Sequence, residues 1–221
     1  MTSQEAIDHV TNFENSTDHD FSKIKDRFAT TVSLSSANAD EVIKERILKK
    51  KESANDSLAL RYETVQTELK NKLLFIDSPE LKLFQNAENY AEVYPFIPYQ
   101  FNLLGQILTE IRNHSYQGSN LSSGERSLLA MFKEAAERNK DNDTTALVSL
   151  DQFYYSLERW IDTAISRVIT QAANNSRIQR PTDTDEFNVN VLRILFMIKY
   201  VDQAIKPNVE NITSLMIRDI N

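Results

Sequence analysis

The chain has 221 residues, with 25 Lys plus Arg against 32 Asp plus Glu, a formal net charge of −7 and no cysteine. The missing thiols exclude a disulfide scaffold, a Cys-ligated zinc site and a thiol nucleophile. A hydrophobic fraction of 41% beside 26% charged residues supplies enough apolar surface for one or two modest cores.

Residues 1–20 carry five acids (Glu5, Asp8, Glu14, Asp18, Asp20) and no Lys or Arg, so only −2 is left for the other 201 residues. A net −7 would argue against a polyanionic partner, but its distribution matters more than its sum, and the body is nearly neutral. The longest apolar stretch, residues 191–201, is interrupted by Arg193, Lys199 and Tyr200 and is shorter than the ~20 residues of a membrane-spanning helix. The opening MTSQEAIDHV has neither a basic nor an apolar leader region. That predicts no signal peptide and a cytoplasmic protein without a membrane partner.

Three glycines and five prolines leave few hairpin turns, while apolar residues recur at helical spacing along most of the chain, so the expected class is mainly α with at most one or two short strands. In chain order, Ala29–Leu34 (ATTVSL) is the best strand candidate because it is rich in β-branched residues. Lys49, Lys50 and Lys51 close a helical segment, where cations suit the C-terminal dipole; the rival reading of this cluster is phosphate contact. Leu58, Tyr62, Val65, Leu69 and Leu73 predict one long amphipathic helix.

Tyr94, Pro95, Phe96, Pro98, Tyr99 and Phe101 form an aromatic and proline cluster, read as a turn packed into the core rather than a base-stacking platform. A helix then starts at Pro98 with the stripe Phe101, Leu104, Leu108 and Ile111. Ser122 and Glu125 have capping-box spacing before a helix whose apolar face is Leu128, Leu129, Phe132 and Ala136. Polar residues 139–145 read as a domain boundary. Leu150, Phe153, Leu157, Trp160, Ala164 and Val168 predict a further long helix, opened by Asp151 and reaching about Ala173. Residues 174–185 read as an internal loop, and 188–201 as a helix apolar on nearly all sides and hence buried. Pro207-Asn208 opens a short amphipathic segment (Val209, Ile212, Leu215, Met216), and the region from Leu147 onward is read as the start of a winged-helix-like module; Arg218 is the only base of the segment from Val209, too few for direct DNA contact.

No phosphate-wrapping G-x-x-x-x-G-K-[ST] loop, no G-x-G-x-x-G and no G-x-S-x-G elbow occurs, and His9, His19 and His114 are isolated, so no metal site is expected. Two arginines stand out. In KIKDRFATTVSLSSANADEVIKERIL, Arg27 precedes Phe28, a β-rich stretch, an Asn/Asp turn and a helix. This is similar to the Arg-Phe segment of AAA+ ATPases, a resemblance that implies an arginine finger reaching a neighbouring subunit's nucleotide. A guanidinium suits the task because it stays charged and presents a planar fork to phosphate oxygens.

Arg126, in SGERSLLAMFKEAA, resembles the arginine that opens the third lid helix in initiator and clamp-loader relatives, which implies a sensor acting from the lid on its own subunit's nucleotide. The plain alternatives are a surface Arg27 beside Lys23 and Lys25, and an Arg126 paired with Glu125 or Glu134 at ~0–1 kcal/mol. The two stand 99 positions apart, which implies an inserted helix within the lid, over about residues 58–74.

A longer match covers YPFIPYQFNLLGQILTEIRNHSYQGSNLSSGERSLLAMFKEAA, with VIKERILKK before it and VLRILFMIKYV after it. It resembles the P-loop ATPase of bacterial BREX phage-exclusion systems, the BrxC/PglY family. The resemblance implies an internal fragment of an AAA+-like ATPase. Residues 1–38 would be the tail of a nucleotide-binding domain, 39–140 a helical lid and 147–221 a second helical domain. ATP and Mg²⁺ would belong to the full-length parent and not to this chain alone, and partners would be other subunits and defence proteins, with any DNA contact indirect. The alternatives are a helical protein-interaction adaptor and a nucleic-acid-binding module using Lys44, Lys49, Lys50, Lys51 and Arg61.

Overall fold

In the computed structural model, the structure describes residues 36–78, 81–114, 124–161, 163–178 and 186–220. The protein is mainly helical, as the apolar periodicity predicts. Among the described residues there is no sheet; the β pairing there is an isolated antiparallel bridge between Ala146 and Asp219. The strand expected at Ala29–Leu34 lies outside the described residues.

Helix α1 (Ser36–Val42) runs into a π-helical turn, Ile43–Ile47. Helix α2 (Glu52–Lys72) is the long amphipathic helix that the stripe predicts; Leu58, Tyr62, Leu69 and Leu73 are buried and Val65 packs at their edge. Its principal neighbour is α3 (Ala87–Val93), whose first turn is held by Asn86, the side chain accepting from the Asn89 N–H at 2.7 Å. An N-cap of this type stabilises a helix by about 1 kcal/mol.

The aromatic and proline cluster makes the turn into α4 (Tyr99–His114), and Phe96, Tyr99 and Phe101 are buried. Gln100, fully buried, folds back to accept from the Ile97 N–H at 3.1 Å and donates to the Val148 carbonyl. This satisfies a helix-start donor that water cannot reach. The buried face of α4 is wider than the four-residue stripe, since Leu103 and Ile107 are enclosed too.

Helix α5 (Gly124–Asn139) is the hub of the molecule, touching α1, the π turn, α4 and the segment after Leu150. Its buried side chains include Leu128, Met131, Phe132 and Ala135, with Leu129 and Ala136 at the margin. The Phe132 ring stacks on Phe101 at 4.6 Å and meets Phe96 and Phe153 edge-on at 4.8 and 5.3 Å. Phe96 and Phe132 precede the polar residues 139–145 and Phe153 follows them, so one buried cluster runs across the break.

The long helix expected from Leu150 to Ala173 is interrupted. A 3₁₀ turn (Leu150–Phe153), α6 (Tyr154–Leu157) and a second 3₁₀ turn (Glu158–Trp160) end at Ile161, whose backbone is extended, and α7 (Thr163–Ala173) starts afresh. After the break the inward positions are Ile161, Ile165 and Ile169, while Val168, an expected core residue, is 64% exposed.

Helix α8 (Phe187–Ile198) is also less enclosed than its composition suggests: Val189, Ile194, Met197 and Ile198 face inward, but Phe187 and Leu195 are exposed. Residues 199–208 lead to α9 (Val209–Leu215), capped by Asn208 through the Asn211 N–H at 2.7 Å. The described residues after Leu147 contain no β-hairpin, and no described helix is long and apolar enough to cross a membrane.

Candidate functional site

Of the two arginines singled out in the sequence, Arg27 lies outside the described residues. Arg126 is exposed on the first turn of α5, beside the buried Ser127 and Leu128. Its expected surface partner Glu134 is engaged elsewhere: the carboxylate accepts from Ser156 Oγ at 2.6 Å and pairs with Arg159. Burial is the largest single influence and raises the Glu134 carboxyl, but these two bonds together with the charges of Arg159 and Arg138 hold it below its ordinary range. Arg126 makes no ion pair with another described residue. Ser122 and the anticipated capping box are outside the described residues.

Helix α1 packs directly against α5, and so does the π turn that continues it. Ala39 and Ile43 provide the buried contacts of this arm. The arm begins nine positions after Arg27, and α5 begins two before Arg126. Thus the described arm from Ser36 and the helix that carries Arg126 are neighbours in space despite their separation in sequence.

The proposed basic face is largely turned to internal work. Lys44 pairs with Glu92 at 2.8 Å. Lys50 Nζ donates to the carbonyls of Leu48 and Glu92 at 3.0 and 3.1 Å, tying the end of the π turn to the end of α3. Burial lowers the Lys50 amine to about 8, opposed by the nearby Glu92 charge. Arg61 is half-buried, and its charge limits the rise that burial imposes on the Tyr90 and Tyr94 hydroxyls. Of the three clustered lysines Lys50 alone is tied in by these bonds, while Lys49 and Lys51 are exposed and Lys51 stands at the start of α2.

His114 stacks on Tyr200 at 5.4 Å, and no group able to hold a metal ion is found among the described residues. Arg138 donates to the Gln152 carbonyl at 2.8 Å, and Asn139 donates to the Gln152 side chain, so the end of α5 is fastened to the segment beyond residue 149. Arg193 donates to Tyr155, Glu186 and Asn190 at 2.8–3.0 Å and lies 4.7 Å from the Tyr155 ring centre.

Asp151, expected as a first-turn helix acid, is 1% exposed and receives Arg218 Nη2 at 2.6 Å. Arg218 therefore has a structural partner within the chain. Sequence reasoning missed this pair because the two residues are 67 positions apart and no local spacing joins them. No protein-family model matches the chain, and no solved structure matches it.

Proposed function

We propose that the chain is the sensor-and-lid part of an AAA+-like ATPase of the BREX phage-exclusion type, without a phosphate-binding loop of its own. The observation that carries this reading is the packing of the arm that follows Arg27 onto the helix that opens with Arg126, which is exposed and makes no ion pair among the described residues. Joined in this way, a shift of either segment is felt by the other. Arg126 on the first turn of α5 has the charge and access that a phosphate oxygen requires, and the partial positive charge of a helix start adds to both.

In the parent protein, Arg27 acts on a neighbouring subunit's nucleotide and Arg126 on its own subunit's nucleotide. ATP with Mg²⁺ supplies the phosphoanhydride to be cleaved, and this chain contributes cationic groups and subunit contacts. The chain alone turns over no ATP. The test is substitution in the complete protein. Arg27→Ala abolishes turnover while ATP binding persists, since loss of such an arginine costs ~10³-fold or more; Arg126→Ala changes nucleotide affinity. Wild-type behaviour in both variants overturns the assignment.

A second reading, a helical adaptor that binds partner proteins, draws on the exposed apolar side chains Val168, Phe187 and Leu195 of α7 and α8. The nucleic-acid reading is weakened by the internal engagement of Lys44 and Lys50 and the half-burial of Arg61.

A further inference from the structure

The segment Pro207–Ile220 folds back as a strap onto residues far away in sequence. The side chain of Asn211, fully buried, accepts from the Ile76 N–H at 2.7 Å and donates to the Ile76 carbonyl at 3.0 Å. The Ser214 hydroxyl lies within hydrogen-bonding range of the Lys72 and Leu74 carbonyls at 3.1 and 2.9 Å. The strap thus satisfies carbonyls that the end of α2 leaves without helical partners.

Beyond α9 the strap pairs in an extended form. The Leu147 N–H donates to the Arg218 carbonyl at 2.8 Å, the Ile220 N–H donates to the Thr145 carbonyl at 3.2 Å, and Ala146 bridges Asp219 antiparallel. Ile217 and Ile220 are buried, and between them Arg218 reaches the buried Asp151. This is recognition by strand addition: main-chain bonds hold the segment and side-chain sites select its sequence. Residues 145–151 therefore form a groove that holds residues 217–220 by main-chain bonds, with Asp151 selecting the guanidinium.

The strap's connection to the rest of the chain is short. Lys206 and Pro207 are exposed, and the Asn208 N–H closes onto the Lys206 carbonyl at 2.9 Å, a turn across two residues centred on proline. Exchange of an identical element about such a hinge is a low-cost route to a dimer. We propose that the 145–151 groove is a receptor for the strap of a second copy of this chain, so that two copies associate by exchanging Pro207–Ile220. Each strap meets the same groups in the exchanged pair as in the single molecule, and only the hinge differs. Leu74, Ile76 and Val209, exposed around the α2–α9 contact, supply further apolar surface beside the hinge.

The chain's own strap competes at an effective concentration on the order of mM, so exchange is read after joint refolding near that range. The absence of cysteine allows a direct test. Two differently tagged full chains, one Ala146→Cys and one Asp219→Cys, are unfolded together, refolded at roughly 0.5 mM and mildly oxidised. The expected result is a mixed-tag disulfide several-fold above that of a control pair, Ala146→Cys with Leu60→Cys, and lost when Arg218→Ala is added to the Asp219→Cys copy.

A single chain with both Ala146→Cys and Asp219→Cys, oxidised when dilute, forms the internal disulfide and shows the pair to be in reach. Circular dichroism checks that each variant is helical. A mixed-tag yield equal to the control overturns the exchange, and so does one that Arg218→Ala leaves unchanged. Failure of the internal disulfide removes the strap from the groove altogether.

Discussion

Replacing Phe132 by alanine tests whether the helices before and after residues 139–145 share one cooperative core. The ring is fully buried and contacts Phe96, Phe101 and Phe153, which come from both sides of that break. Truncating a buried Phe to Ala costs about 3–5 kcal/mol through lost transfer energy and the cavity left behind. The three ring contacts place this site toward the upper part of that range, because favourable aromatic geometry adds to area burial. A chain of this size has a urea slope of about 2 kcal/mol per molar, so a loss of about 4 kcal/mol moves the midpoint down by about 2 M. The assay is urea unfolding followed by helical circular dichroism and by the fluorescence of Trp160, which lies beyond the break. Both signals move together in a single transition. A shift under about 0.5 M, or a fluorescence transition left in place while the helical signal moves, refutes the shared core.

Lys50 gives a pH dependence with a definite sign. Its amine titrates at about 8 in the folded chain instead of 10.5, so between these values the unfolded chain binds more protons and stability rises with pH. Because the amine is only partly buried, solvent screening reduces the gain to about 1 kcal/mol. Above pH ~10 the trend reverses, since burial holds Tyr94 and Tyr154 up to about 12 and raises Tyr90 and Tyr99 as well. Denaturant titrations from pH 7 to 11 show the maximum, and Lys50→Met removes the rising limb; a rise that persists in that variant assigns it to another group. Arg126→Ala leaves stability within about 0.5 kcal/mol of the parent, as expected for an exposed residue with no ion pair among the described residues. A larger loss in thermal or urea unfolding reassigns Arg126 to a structural role.

The parts of the fold legible from sequence were those set by local periodicity. The stripes of α2 and α4 and the buried turn at 94–101 follow from side chains three and four positions apart, a relation that holds wherever a helix packs on one side. The interruption at Ile161 was hidden because isoleucines and valines are spaced so that two overlapping stripes fit the same residues, and only packing decides between Ile165 and Val168. For α8, composition overstated burial: its apolar outer residues Phe187 and Leu195 count the same as inner ones in any local average. The contacts of Glu134, Arg159, Asp151 and Arg218 span 25 and 67 positions and leave no local trace. Within the candidate site, the sequence marked Arg126 by type and position, while the nearness of the α1 arm to α5 required the folded chain.

ATP turnover by the protein made from its complete reading frame, beside this 221-residue chain under identical conditions, tests the sensor-and-lid account most directly. The account predicts hydrolysis by the longer protein and none by this chain. A reading frame confined to these 221 residues, with no nucleotide bound by its product, contradicts it and leaves the partner-binding adaptor in its place.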